Sequence, residues 1–104
     1  MSDRELLELA AKAAGYSVRW YDDSLAYGPT FGIEVEPGNP CGFEVWNPLT
    51  DDGDALRLAV SLPGMSLEWV IASAWQAHDS QEDRQSYVRR MIVERAAQLG
   101  GLLP

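Results

Sequence analysis

Hydrophobic positions switch between two spacings along this chain, and each switch marks an element. From Ser2 to Ala14, Leu6, Leu7, Ala10, Ala13 and Ala14 recur at helical spacing, with Arg4, Glu8 and Lys12 toward water. Ser2 and Glu5 stand in the capping-box relation, and Gly15 is a stop signal. A helix face of mostly Leu and Ala lies close against something flat, so a sheet is its expected partner. Tyr16, Val18 and Trp20 then alternate with Ser17, Arg19 and Tyr21, the period of a strand. Residues 31–36 alternate again, with Phe31, Ile33 and Val35 inward. Residues 43–46 form a third short strand, with Phe43 and Val45 inward and Glu44 outward. Asp22-Asp23-Ser24 is turn chemistry, Pro37-Gly38-Asn39-Pro40 breaks the chain, and Leu25 to Tyr27 is a weaker pairing candidate.

Asn47-Pro48 ends the third strand, and a helix is predicted over about 51–62, capped by Thr50 or Asp51 and closed by Pro63-Gly64. Residues 66–76 read as a strand with Leu67, Trp69, Ile71, Ser73 and Trp75 on one face. Glu68, Val70, Ala72 and Ala74 occupy the other. Apolar residues on both faces suit an inner strand covered on both sides. A last helix starts near Ser80, buries Val88, Met91, Ile92, Ala96 and Leu99, and ends at Gly100-Gly101. The order α-β-β-β-α-β-α predicts an α+β fold: a three-layer α/β/α sandwich around a mainly antiparallel four-stranded sheet, with residues 1–104 as a single domain.

Charge sharpens the picture. Sixteen acidic residues stand against eight basic ones, a net charge of −8 in 104 residues. That opposes a nucleic-acid partner, which demands a basic footprint. Eleven of the acids and four of the bases lie in residues 1–60, so −7 of the charge sits there and −1 in the remainder. The start, Met-Ser-Asp-Arg-Glu, lacks a signal peptide's basic and apolar regions. The uncharged stretch after Glu68 ends at Asp79, too short for a bilayer, so no membrane partner is expected. One cysteine, Cys41, forms no internal disulfide and builds no thiolate metal site alone. A cytoplasmic address is the expectation.

Candidate chemistry is sparse. Asp51, Asp52 and Asp54, with Glu44 nearby in sequence, are weak metal candidates, because clustered carboxylates hold Mg²⁺ or Ca²⁺ through oxygen. The competing reading is structural: acids crowd the first turn of a helix to cap it and to meet its dipole. His78, the only histidine, follows the expected strand at 66–76 and precedes a helix, a place suited to a base. Neither it nor Cys41 sits in a nucleophile motif. No glycine pattern cradles phosphate, so no cofactor is expected. Arg84, Arg89, Arg90 and Arg95 interleave with Glu82, Asp83 and Glu94, the pattern of a solvated, salt-bridged helix face. Of four tryptophans, Trp20, Trp69 and Trp75 are expected in the core. Trp46, with Asn47 beside it, alternates outward and is a candidate interaction surface or a residue under a second helix layer.

The stretch Trp46-Asn47-Pro48-Leu49-Thr50-Asp51-Asp52-Gly53-Asp54-Ala55-Leu56-Arg57-Leu58-Ala59-Val60 resembles the signature of small phage- and prophage-encoded proteins named for a phage α-β-α (ABA) sandwich domain. Residues 6–15 and 89–97 are similar to that family in the same order. The resemblance implies a three-layer fold and a phage or prophage origin, and it carries over no activity and no catalytic residues. The reading that follows is a non-enzymatic module that binds another protein or itself. The alternative is a metal-dependent hydrolase using Glu44, Asp51, Asp52 and Asp54.

Overall fold

A computed structural model describes residues 1–21, 30–34 and 43–103. Helix α1 (Asp3–Ala14) begins at Ser2, whose hydroxyl accepts from the Glu5 amide at 3.2 Å. It ends at Gly15, whose φ of 75° is left-handed backbone that glycine adopts without a Cβ penalty. Strands β1 (Val18–Tyr21), β2 (Thr30–Glu34) and β3 (Phe43–Trp46) form an antiparallel sheet in the order β1-β2-β3. Helices α2 (Asp52–Val60), α3 (Leu67–Ala77) and α4 (Gln81–Gly100) complete the chain. Each has a side-chain N-cap, from Asp51, Ser66 and Ser80 respectively.

The sheet register decides which residues reach the core. Trp20, Phe31 and Trp46 lie opposite one another across the three strands, as do Val18, Ile33 and Glu44, so these positions share one face. Trp20 meets Phe31 edge-on at 4.8 Å between ring centroids, and Tyr16 meets Trp46 edge-on at 5.8 Å. Phe31 and Trp46 join one cluster with Leu6, Leu7 and Ala10 of α1, Leu58 of α2, and Ile92 and Val93 of α4. α4 packs against α1, α2 and α3 alike and is the axis around which the helices are arranged.

The α+β class and the antiparallel meander stand, and the structure corrects three finer expectations. Residues 67–77 are helix, not the inner strand expected at 66–76, so the described residues hold three strands rather than four. The apparent period-2 pattern arose because apolar residues surround this segment on nearly every side. The positions it buries, Val70 and Ala74, are four apart, which is helical spacing. Ser66 caps the helix by accepting from the Trp69 amide, and its alanines favour it. With that strand gone, the two-faced strand that argued for three layers is absent.

The phase of β3 is the second correction. Trp46 is only 2% exposed, whereas Val45 is exposed. Both parities of Phe43-Glu44-Val45-Trp46 offer an apolar residue, and the core takes the larger ring. The third correction concerns α1, which packs its small residues chiefly on α4 rather than on the sheet. Alanine faces let two helix backbones approach as closely as a helix and a sheet. The expected turn at Asp22-Asp23-Ser24, the Leu25–Tyr27 candidate, the 37–40 break and Cys41 lie outside the described residues.

At the end of α4, a Cβ on Gly100 would collide with the backbone carbonyl of Leu9 in α1. Gly100→Ala is therefore expected to destabilise the fold by about 1–3 kcal/mol, the usual cost of overpacking. Gly101→Ala, whose Cβ would meet nothing closer than 3.5 Å, is the control and should leave the thermal midpoint nearly unchanged. Thermal unfolding followed by circular dichroism measures both.

Candidate functional site

The acidic turn joins β3 to α2, and each of its aspartates has its own protein partner. Asp51 Oδ2 accepts from the Asp54 amide at 2.8 Å, which makes it the helix cap. Asp54 is buried; its Oδ2 accepts from the Asn47 amide at 3.0 Å and its Oδ1 from Arg57 Nη2 at 2.6 Å. Donation to the Asp54 carboxylate raises the Arg57 guanidinium above its ordinary pKa, against the smaller opposing effect of desolvation. Asp52 pairs outward with Arg89 Nη1 of α4 at 2.6 Å. Arg89 is largely covered, and its Nε also donates to the Leu49 carbonyl at 2.9 Å.

The carboxylates therefore fan around the helix start, and Glu44 stands exposed on β3. Among the described residues, no three of His, Cys, Asp and Glu are placed to hold a metal ion. Asn47 is half-buried; its side-chain oxygen accepts from the Leu49 amide at 3.1 Å, which shapes the Asn-Pro turn. Trp46 and Asn47 are thus joined to core and turn rather than offered as a contact surface.

His78 closes α3 as its C-cap, with its backbone amide donating to the Ala74 carbonyl at 3.0 Å. Its ring lies edge-on to Tyr87 at 5.3 Å. Arg84 bridges the α3–α4 turn: Nη1 donates to the carbonyls of His78 and Asp79, and the guanidinium stacks 3.7 Å from the Trp75 ring centroid.

What the sequence reading missed is an exposed apolar face. Trp69 and Trp75 were expected in the core, yet each is 62% exposed. Ile71 is exposed beside them, and on α2 Leu56 and Val60 are 54% and 76% exposed. Leu56, Ile71 and Trp75 line one groove between α2, α3 and α4, about 310 Å³ in volume, with Val88 and Ile92 at its base. Trp69 lies on the other flank of α3, over a hollow bordered by Met91, Glu94 and Arg95 of α4. Two signals were present in the sequence. α2 carries apolar residues on more of its circumference than one buried face needs, and residues 67–77 contain a single charge, Glu68.

No protein-family model matches this chain, and no curated protein or solved structure matches it either. Among the described residues, no helix is long and apolar enough to cross a membrane.

Removal of the Asp54 carboxylate would orphan the Asn47 amide and free Arg57. Asp54→Ala is expected to cost about 1–3 kcal/mol of stability, the desolvation penalty of an unpaired buried donor. Glu44→Gln, on an exposed side chain, should change stability by less than about 0.5 kcal/mol. Urea unfolding of the two variants separates an architectural turn from a charged site, which would respond to both.

Proposed function

We propose that this chain is a non-enzymatic protein-binding module whose contact surface is the apolar face of α2 and α3. The observation that carries this reading is the exposure of Leu56, Ile71 and Trp75, which line one groove between α2, α3 and α4. Single exposed apolar residues are ordinary on protein surfaces, but contiguous ones mark interaction sites. Tryptophan is the residue most enriched among interface anchors, and two of the four tryptophans stand on this helix.

The acidic turn supports the same reading by its alternative employment. Asp51, Asp52 and Asp54 are engaged in capping, a buried hydrogen bond and ion pairs, which favours architecture over metal-dependent hydrolysis. The net charge of −8 weighs against nucleic acid as the partner. The resemblance of residues 46–60 to the phage ABA sandwich proteins supports a phage or prophage setting. Membership in that family and a three-layer arrangement rest on that resemblance. A cytoplasmic address accords with a single cysteine.

A photo-crosslinking amino acid placed at Leu56 or Ile71, in cells producing the protein, tests this reading. Adducts to a polypeptide are expected from these positions and not from Arg19 or Val45 on the sheet. Equal or absent labelling at the two sets would overturn it.

A further inference from the structure

We propose that the exposed face of α3 is covered by a second copy of this chain, the two α3 helices crossing antiparallel about a two-fold axis at Ala72. The proposal rests on the protein-binding reading above and names its partner. Three observations carry it: the area exposed, the balance of charge, and the spacing of residues along α3.

The area is what a homodimer needs. Two tryptophans 62% exposed leave on the order of 150 Å² each. Ile71, and Leu56 across the groove, add roughly 80 Å² each at ordinary burial values. About 460 Å² of apolar surface per chain results. A standard interface takes about 800 Å² from each partner, of which about 65% is apolar in homodimers. The two figures agree.

The charge also selects this face. A chain of net charge −8 repels its own copy unless contact is made where the charge cancels. The charged residues on α3 and along its two flanking hollows are Arg84, Arg89 and Arg95 against Asp52, Glu68 and Glu94. They balance. Of the acids in residues 1–60, only Asp52, paired with Arg89, lines these hollows.

The spacing makes the face self-complementary. An antiparallel two-fold pairs residues equally far before and after the axis. About Ala72, Trp69 of one copy stands opposite Trp75 of the other, three residues to either side. Glu68 stands opposite Gln76, so its carboxylate meets an amide donor rather than a like charge. Ala72 is exposed on the crest between the two flanks and carries only a methyl. The axes can therefore approach to about 8 Å, the close end of helix packing.

Sedimentation equilibrium of the full chain over roughly 1–100 µM provides the test. A species of about 23 kDa, twice 11.5 kDa, is expected, and it should persist or tighten in about 1 M salt, where self-repulsion is screened. Ala72→Arg should weaken association at least about tenfold while leaving thermal unfolding at low concentration unchanged, since Ala72 is exposed. In a Cys41→Ser background, Ala72→Cys should form a covalent dimer with a short bismaleimide and Arg19→Cys should not. A monomer throughout the range, or a dimer indifferent to Ala72→Arg, overturns the proposal. If the chain is monomeric yet Leu56 and Ile71 still crosslink to another polypeptide, only the second copy fails. If those crosslinks are missing too, the protein-binding reading falls with it.

Discussion

The close approach of α4 to α1 is the constraint on which the remaining structure depends. Gly100 sits against the Leu9 carbonyl with no room for a Cβ, and alanines of both helices belong to the one buried core. Such contact gains little hydrophobic area per residue, but it brings two backbones together and multiplies dispersion contacts. It also sets where α4 runs, and α4 is the helix that α2 and α3 share. α3 packs against α4 and has no comparable second neighbour among the described residues, so its buried stripe is narrow. Its tryptophans are exposed because of where α4 was placed, not because of their own chemistry.

The β3–α2 turn shows how charge that suggests chemistry can be spent on architecture. A strand that ends and a helix that begins leave backbone donors without ladder or helix partners. Asp54 accepts from Asn47 at the strand end, and Asp51 accepts from Asp54 at the helix start. Arg89 then crosses from α4 to the Leu49 carbonyl and Asp52, holding the turn to the central helix. Because Asp52 and Arg57 remain largely exposed, their ion pairs are weak individually. The buried hydrogen bond of Asp54 is the stronger restraint.

The local signals in the sequence were reliable where the governing interaction spans a few residues. The cap at Ser2, the helix start near Ser80, the stop at Gly15 and the strand at residues 43–46 depend on neighbours within one turn, and the structure has them as expected. Asp51 proves to be the cap where Thr50 was an equal candidate, because its carboxylate reaches the Asp54 amide. Apart from the packing partner of α1, the readings that failed turned on partition between two sides. At 43–46 and at 67–77 apolar residues occupy both alternatives, so periodicity alone could not say which side is dry. Trp46 and Val70 are buried while Val45 and Trp69 are exposed.

The sequence by itself determined the α+β class, the place of most described elements to within a few residues, the acidic balance and its concentration in the first sixty residues. These follow from hydrogen bonds and backbone preferences that act over short distances. Tertiary structure alone decided which side of residues 67–77 lies on α4, that Trp46 turns inward, and that Leu56, Ile71 and Trp75 meet in one groove. The reason is physical: burial depends on which elements from elsewhere in the chain pack against a segment, and α4, packed against α1, covers only one side of α3.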